Sequence, residues 1–341
     1  MGAGSRASCA ALMAGYLLRR VLAAIPTLLG ISLLAFAVLN VLPADPVLTW
    51  TEAGAPMSAE AMERLRAELG TERSAAARYA DWLLHVAQLD FGRSLRDSRP
   101  VLDLVGEALP WTLLLNLCAV AAIYGLGLPI GWAGSRRPGG SLDRLARGLL
   151  IVVYVVPPFA AALLLQRVFA VRLRILPLQG VAADDATGPA GQAIDLALHL
   201  ALPTLCLALS GWAFAAHFAS ATFRTLFAAG PLAAARARGL SGFRLAWHFA
   251  PNAAAPFVSL LGAIIPGLLA GSVVVEEIFS WPGMGRLLLR AVEGRDYPVV
   301  LTLMLLSAGA VLAGQMLIDL LYPALDPRLR EVVGAQAPSH E

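Results

Sequence analysis

The chain has 341 residues, of which 58% are hydrophobic and 14% charged, and its mean hydropathy is +0.70. This composition leaves too few polar side chains to cover a soluble core, so it indicates a membrane protein. The formal net charge is only +3, and without a nucleic-acid motif it gives no indication of DNA or RNA binding.

All 26 basic residues are arginine, because the sequence contains no lysine. A P-loop, a Schiff-base site and a Ser-x-x-Lys site each need a lysine, so the chain is expected to use none of them. Cys9, Cys118 and Cys206 are too few and too widely spaced to suggest a disulfide framework or a thiolate metal site. His199 and His217 are predicted at opposite sides of the membrane, so no metal site is expected from them either.

Six apolar runs are long enough to cross a bilayer as helices. They are Val21–Leu42, Trp111–Gly134, Gly148–Val171, Leu196–Ala221, Pro256–Ile278 and Val299–Tyr322. The first run is longer than a signal-peptide core and lacks a small-x-small cleavage site, so a retained helix is expected. Residues 1–15 are predicted to form an N-terminal extension that is a candidate for disorder, and Met1 and Met13 both remain open as the start.

The distribution of arginine predicts the orientation of these spans. With the N-terminus inside, the cytoplasmic segments carry thirteen arginines, the two shorter outside loops carry six, and the long loop Pro43–Pro110 carries seven. Loops of that length fall outside the positive-inside rule. Both termini are therefore predicted to be cytoplasmic.

The long outside loop Pro43–Pro110 contains its own helix signals. Ser58–Gly70 begins with a serine cap and ends at glycine, which is typical of a short surface helix. Ala75–Val86 is predicted to be a second helix with an aromatic face suited to the membrane surface. Gly92 and Pro100 are predicted to mark turns.

The segment Phe223–Ala255 contains four arginines, and burying them in the bilayer would cost roughly 10 kcal/mol. It is therefore expected to lie in water or among lipid headgroups. Leu232–Arg238 is predicted to be helical and to end at Gly239 in the left-handed conformation. Gly242–Ala250 is predicted to be a second short helix that the following Pro-Asn pair stops. An ordinary positive-inside loop is the alternative interpretation.

The stretch "ARARGLS", Ala235 to Ser241, resembles the core of the cytoplasmic coupling loop, or EAA loop, of binding-protein-dependent ABC importer permeases of the dipeptide/oligopeptide branch. Four other stretches resemble the same branch. They are "YLLRRVLAAIPTLLGISLLAFAVLNVLPADP" (Tyr16–Pro46), "LDFGRSL" with "RPVLDLV" (Leu89–Leu95 and Arg99–Val105), "VVVEEIFSWPGMGRLLLRAVEGRDYPVV" (Val273–Val300) and "DLLYPALDPRLR" (Asp319–Arg330).

The resemblance implies that this loop inserts a short coupling helix into a groove on a cytoplasmic ATPase subunit. The residues assigned to this contact with the ATPase are Ala235, Arg236, Ala237, Arg238, Gly239, Leu240 and Ser241. Small alanines would allow close approach, Gly239 would set the bend, and Arg236 or Arg238 would pair with carboxylates of the partner. Ala233 stands where the broader pattern has glutamate. This difference weakens the expectation that polar side chains in the first half of the loop contact the ATPase.

The stretch "SWPGMG", Ser280 to Gly285, follows the fifth predicted span on the outside. By resemblance it is a turn near the outer mouth of the pathway, and a simple turn with an interfacial tryptophan is the alternative. The candidate gate residues are Glu276, Glu277, Phe279, Trp281, Pro282, Gly283 and Gly285. The two glutamates are expected either to face the pathway and receive a cationic group or to be solvated at headgroup level.

The fifth span contains four residues that suggest either close helix packing or a flexible helix lining the pathway. These are Gly262, Pro266, Gly267 and Gly271. Gly267 and Gly271 form a small-xxx-small pair, and Pro266 frees a backbone carbonyl that bending would use.

Two other classes of protein are alternatives. A transporter driven by an ion gradient generally has acids or histidines near the middle of the membrane, where these spans offer only Asn116 and a few hydroxyls. A membrane-embedded serine hydrolase is suggested only by "GLSG" at Gly239–Gly242, which lies in an arginine-rich loop rather than within a span. Both are less well supported than the permease.

The predicted architecture is an all-α membrane protein with six transmembrane helices and the type I ABC importer permease fold. Its parts are the extension 1–15, the first helix and outside loop 16–110, the five-helix core 111–326 with the coupling loop at about 223–255, and a cytoplasmic tail 327–341. The resemblance implies a bacterial inner membrane location and a second, homologous permease chain. It also implies two ATPase chains that use ATP and Mg²⁺, and an extracytoplasmic solute-binding protein. The chain itself is expected to bind no cofactor and to catalyse no reaction, and dipeptides, oligopeptides, nickel and metal chelates all remain open as substrates.

Overall fold

The computed structural model describes residues 3–41, 74–136, 155–182, 188–228, 237–240 and 242–325, with a few positions between 139 and 151. Within these ranges the chain is helical and has no β-strand, only an isolated bridge between Arg93 and Pro100. The helices are α1 (Ala3–Val41), α2 (Ala75–Ala87), α3 (Val101–Arg136), α4 (Pro158–Leu165) with a π-helical segment (Gln166–Arg172), α5 (Gly188–Ala228), α6 (Gly242–Ile278), α7 (Met284–Glu293) and α8 (Tyr297–Leu325).

Five of the described helices are long and apolar enough to cross a membrane. Their candidate spans are Leu17–Asn40, Val101–Arg136, Gly188–Leu209, Ala254–Ile278 and Tyr297–Leu321. They correspond to five of the six predicted runs. The remaining run, Gly148–Val171, is described mainly from residue 155 onward, where α4 and the π-helical segment lie.

The chain divides into two compact units. The first contains Met1–Arg20, Leu109–Arg286 and Ala310–Glu341, and the second contains Val21–Ala108 and Leu287–Gly309. The core of the first unit is built from residues four apart on single helices, such as Leu115, Ala119 and Ile123 on α3. Residues at this spacing lie on one helical face and pack together.

Glycines on α3 and α5 allow these two helices to approach closely within the first unit. A Cβ atom placed on Gly127 would lie 2.8 Å from Ala215 Cβ, and one placed on Gly131 would lie 2.5 Å from Ala219 Cβ. Both pairs differ by 88 in residue number, as do Ile123 and Gly211, which are also in contact. A constant difference means that α3 and α5 run parallel, and Gly127 and Gly131 form the small-xxx-small spacing that brings helix backbones together.

In the second unit, α2 packs against α1. Helix α2 begins after the Ser74 cap, whose side chain accepts a hydrogen bond from Ala77 N. The Tyr79 hydroxyl lies 2.9 Å from Ser32 Oγ on α1, and its ring centroid lies 5.3 Å from that of Phe36. The prediction of a helix at this position is confirmed, and Tyr79 on its predicted aromatic face contacts α1.

Two helices continue through positions where the sequence indicates an extension or a stop. Helix α1 begins at Ala3, so most of the predicted extension 1–15 is helical. Helix α6 runs from Gly242 through positions 251 and 252 to Ile278, so the predicted stop after Ala250 is wrong. A proline inside a helix removes one backbone hydrogen bond and bends the helix. The hydrogen bonds on either side of the proline allow the helix to continue beyond it.

Asp296, a buried residue of the second unit, holds the loop that follows α2. Its carboxylate accepts hydrogen bonds from the Ser94 hydroxyl, from Leu95 N at 3.1 Å and from Arg96 N at 3.4 Å. Gly92 lies just before this loop with φ +75°, as its predicted turn requires. One carboxylate therefore fixes the backbone of a loop some 200 residues away in sequence.

The predicted helix Ser58–Gly70 lies outside the described residues.

Candidate functional site

The predicted outer turn closes the C-terminus of α6. Trp281 N donates to Glu276 O at 2.7 Å and Ser280 N donates to Glu277 O at 3.1 Å, while Ser280 has φ +52°. This is the Schellman pattern, with serine in the left-handed position where glycine is usual. Arg286 Nη1 donates to Ser280 O at 2.7 Å and holds the turn in place.

The last carbonyl groups of α6 also receive donors from the segment after α4. Gln166, a buried residue of the π-helical segment, donates through Nε2 to Leu178 O at 3.0 Å and to Ile278 O at 3.2 Å. Gly180 N donates to Phe279 O at 2.9 Å. Helix ends leave such carbonyls unpaired, so these donors join the segment after α4 to the end of α6. The sequence analysis missed Gln166, and its polar side chain within an apolar run was the available signal.

Glu276 is the central group of the turn and is fully buried, with 0% of its surface exposed. Its Oε1 accepts a hydrogen bond from the Thr112 hydroxyl at 2.8 Å, and its Oε2 accepts from Gly285 N at 2.7 Å and from Arg286 N at 3.1 Å. Thr112 Oγ1 in turn accepts from Met284 N at 2.7 Å. The first N–H groups of α7, which lack partners within that helix, are thus satisfied by Glu276 and Thr112.

This arrangement explains the two glycines of "SWPGMG". A Cβ atom on Gly283 would lie 2.5 Å from both Glu276 Cδ and Thr112 Oγ1, and one on Gly285 would lie 2.5 Å from Val273 Cα. The glycines are therefore required by the close approach of the backbone to the buried carboxylate and to α6. Neither glycine was predicted on these grounds, because the sequence does not show that Thr112 is a neighbour.

The aromatic residues of the turn are part of the core rather than of an open surface. Trp281 is 0% exposed and Phe279 is 2% exposed. Trp281 Nε1 donates to Trp111 O at 3.0 Å, and the two indole rings meet edge to face with centroids 5.5 Å apart. Pro282 is half-buried. We call Thr112, Glu276, Trp281 and Gly283 to Arg286 the outer turn cluster.

The two glutamates of the turn differ sharply. Glu277 is exposed, and its Oε2 lies 3.6 Å from Arg286 Nε, which fits the expected solvation. Glu276 is neither solvated nor open to a pathway, because protein groups occupy both carboxylate oxygens. The expectation of headgroup solvation is therefore wrong for Glu276. In this conformation Glu276 stabilises the fold of the turn.

The candidate pathway residues of α6 have different surroundings. Gly262 faces Ile318, 3.4 Å from a placed Cβ, and Gly271 faces Leu207 at 3.6 Å. Gly267 is exposed with no atom within 4 Å of a placed Cβ, and Pro266 is half-buried. The Gly267–Gly271 pair thus does not make a close helix contact within the described residues, whereas Gly127–Gly131 of α3 does.

The coupling-loop residues are described in part. Helix α5 ends at Ala228 and α6 begins at Gly242, so the predicted loop joins two long helices. Gly239 has φ +82°, as predicted, with no atom within 4 Å of a placed Cβ. Ala237 and Arg238 are exposed beside it, and Leu240 is half-buried. Ala235, Arg236 and Ser241 lie outside the described residues.

The base of this loop is surrounded by aromatic rings. The Trp132 ring near the end of α3 meets Phe223 and Phe227 on α5 edge to face, with centroid distances of 5.0 and 5.1 Å. Phe223 also lies 5.4 Å from Phe257 on α6. We call these four residues the aromatic cluster. Among the described residues, no group of three or more His, Cys, Asp or Glu side chains could hold a metal ion.

The chain is similar to known proteins over nearly its whole length. The family described as binding-protein-dependent transport system inner membrane component matches residues 125–331, and the family described as its N-terminal component matches residues 13–116. The oligopeptide transport permease AppB of Bacillus subtilis is 32% identical over 320 residues, which covers 93% of this chain and 99% of AppB.

Two further relatives also match 93% of this chain and 99% of their own length. They are the dipeptide permease DppB of Escherichia coli K12, 32% identical over 338 residues, and the glutathione permease GsiC of Pectobacterium atrosepticum, 33% identical over 319 residues. The long apolar helices fit a multi-pass membrane protein. The chain therefore belongs to the family of inner membrane components of binding-protein-dependent transport systems.

Proposed function

We propose that this chain is a transmembrane permease subunit of an ATP-driven importer and forms half of the pathway for dipeptides or oligopeptides delivered by a solute-binding protein. The family supports the transport role, and relatives named as oligopeptide, dipeptide and glutathione permeases support a peptide substrate. Import of nickel or a metal chelate is the less favoured alternative.

The proposed topology has six spans with both termini in the cytoplasm. Five described helices meet the length and hydropathy of a span, and the run Gly148–Val171 supplies the sixth in the proposal. An even number of spans puts both termini on one side of the membrane, and the excess of arginine supports the cytoplasmic side. The loop between α5 and α6 is then cytoplasmic and the outer turn cluster is extracytoplasmic.

The proposed partners are a second, homologous permease chain, two cytoplasmic ATPase chains and the solute-binding protein. ATP and Mg²⁺ are assigned to the ATPases, because this chain lacks the lysine of a P-loop. The chain itself is proposed to catalyse no reaction. Closure of the ATPases would move the coupling loops and open the outer side of the pathway.

The observation that carries the proposal is the exposed bend at Gly239, which projects between two long helices at the stretch that resembles a coupling loop. A φ of +82° disfavours any residue with a Cβ, and a β-branched residue most of all. Gly239→Val is therefore expected to change the bend that the ATPase would recognise without disturbing the spans.

The test uses the chain expressed with its ATPase and binding-protein partners. Gly239→Val should insert normally but lose most of the co-purifying ATPase and of the dipeptide uptake. The matched control is Gly139→Val, since Gly139 has φ +76° and no atom within 4 Å of a placed Cβ, but lies in a different loop. Wild-type uptake by Gly239→Val, equal loss in both variants, or uptake without the ATPases would overturn the proposal.

The substrate class has its own assay. The assembled transporter in vesicles is supplied with a labelled dipeptide, a labelled pentapeptide or ⁶³Ni²⁺, each with the binding protein and ATP. Uptake of at least one peptide, and not of nickel, is expected. Nickel uptake without peptide uptake would favour the metal alternative.

A further inference from the structure

Helix α3 contacts the base of the coupling loop at its C-terminal end. Trp132 packs edge to face on Phe223 and Phe227, which lie in the last turns of α5 before the loop. Phe257 of α6, on the other side of the loop, joins the same cluster through Phe223. Edge-to-face pairs stabilise the contact between rings beyond the area that they bury. A displacement of the loop therefore acts directly on the end of α3.

Between its ends, α3 is interlocked with α5. The backbones approach so closely at Gly127 and Gly131 that a single added methyl group would clash with Ala215, Ala216 or Ala219. Trp212 Nε1 also donates to Ala122 O at 2.7 Å across the interface. Contacts of this kind resist sliding, because closely packed interiors do not deform continuously.

Pro129 removes one backbone hydrogen bond from α3, and a helix can bend at such a position. Gly127 and Gly131 lie on either side of it, however, and both are held against α5. The pair of helices therefore stays connected across the proline.

The same helix holds the outer turn cluster near its other end. Thr112 donates to Glu276 and accepts from Met284 N, and the Trp111 carbonyl accepts from the Trp281 indole. Thr112 and Trp132 are twenty residues apart, which is about 30 Å of helix and about the thickness of the hydrocarbon core. One helix therefore contacts both the base of the coupling loop and the outer turn.

We propose that α3, interlocked with α5, is the mechanical link that carries movement of the coupling loop to the outer turn cluster. Trp132 and Thr112 are its positioning residues, one at each end. The proposal rests on the proposed function, because that function makes the loop the attachment point of the ATPase. It adds a defined route from that loop to the far side of the membrane.

The first test compares two end variants with matched controls in the assembled transporter. Trp132→Leu and Thr112→Val should keep the ATPases attached and keep ATP hydrolysis, while solute taken up per ATP falls at least about five-fold, the lower limit of typical coupling between distant sites. Trp132→Phe, which keeps a ring, should restore most of the uptake. The controls are Leu113→Val on α3 and Phe214→Leu on α5, which alter side chains that are 57% and 44% exposed.

These outcomes differ from failure of the proposed function. A defect in the coupling loop itself removes the ATPase, as expected for Gly239→Val. A defect in the α3 link leaves the ATPase bound, and ATP hydrolysis continues without solute uptake. Wild-type uptake per ATP in both end variants would overturn the link, and so would equal losses in the controls.

A second measurement does not depend on destabilising variants. Spin labels at the exposed positions Leu117 on α3 and Leu198 on α5, which are 69% and 41% exposed, report the distance between the two helices. Because the helices are proposed to move together, this distance should change by less than about 2 Å, the scale of interface helix shifts, between the nucleotide-free and ATP-bound transporter. A larger change would refute the rigid link.

Discussion

Gly131→Ala tests the interlocking of α3 with α5 by adding one methyl group. The new Cβ would lie 2.5 Å from Ala219 Cβ, 2.6 Å from Ala216 O and 2.9 Å from Ser220 N. Carbon atoms pack at about 3.5–4.0 Å, so the helices must separate by roughly 1 Å. Two of the three neighbours are backbone atoms, which cannot move aside by changing a rotamer. Overpacking of this kind costs about 1–3 kcal/mol.

Gly125→Ala is the matched control on the same helix. No atom lies within 4 Å of a Cβ placed on Gly125, so the control adds a methyl group without a clash. Both variants gain helix propensity, by about 0.5–1 kcal/mol each. The difference between their stabilities therefore isolates the strain at the interface, and we expect about 1–3 kcal/mol.

The assay is the fraction of detergent-solubilised protein that remains monodisperse after heating, measured over a temperature series. Gly131→Ala should lose monodispersity at a clearly lower temperature than Gly125→Ala, and its dipeptide uptake should fall. Equal midpoints for the two variants would show that the helices are not closely packed at Gly131, and the parallel α3–α5 contact would then be wrong.

Two further predictions concern buried carboxylates. Glu276→Leu leaves the Thr112 hydroxyl and the N–H groups of Gly285 and Arg286 without their acceptor, which costs about 1–3 kcal/mol for each buried group. Thermal stability and uptake should therefore both fall. Glu276→Gln should have a smaller effect, because glutamine keeps one acceptor oxygen. The control Glu277→Gln alters an exposed side chain and should resemble wild type. If Glu276→Leu is as stable as this control, Glu276 does not stabilise the turn. Asp296→Ala should release the loop 93–100 and speed its cleavage by trypsin, whereas Asp103→Ala, which alters an exposed side chain outside the loop, should leave the rate unchanged. Equal cleavage rates in these two variants would show that Asp296 does not hold the loop.

Local signals in the sequence predict much of the fold. Apolar runs predict the five described spans because a bilayer requires about twenty apolar residues for each crossing. The helix at Ala75 and the bends at Gly92 and Gly239 are likewise correct, since an aromatic helical face and a left-handed glycine are each visible within a few residues. The error at Pro251 has a local cause as well, because proline within a long helix bends it without ending it.

The long-range contacts of the site could not be predicted in the same way. An acid at the end of a span normally indicates solvation, and nothing near Glu276 in sequence shows that Thr112, 164 residues earlier, will bind it. The spacing of small residues is also ambiguous by itself. It marks a close contact at Gly127 and Gly131 but not at Gly267, because the sequence does not specify which helix lies opposite.

The parallel pairing of α3 with α5 has a consequence for the biosynthesis of the chain. Trp212 and its acceptor Ala122 are 90 residues apart, which at about 5–20 residues per second amounts to roughly 5 to 20 seconds of translation. Glu276 leaves the ribosome later still, so α3 must wait in the lipid with its glycine face and Thr112 uncovered. A nascent chain arrested before α5 is complete would therefore present α3 without the helix that covers its glycine face.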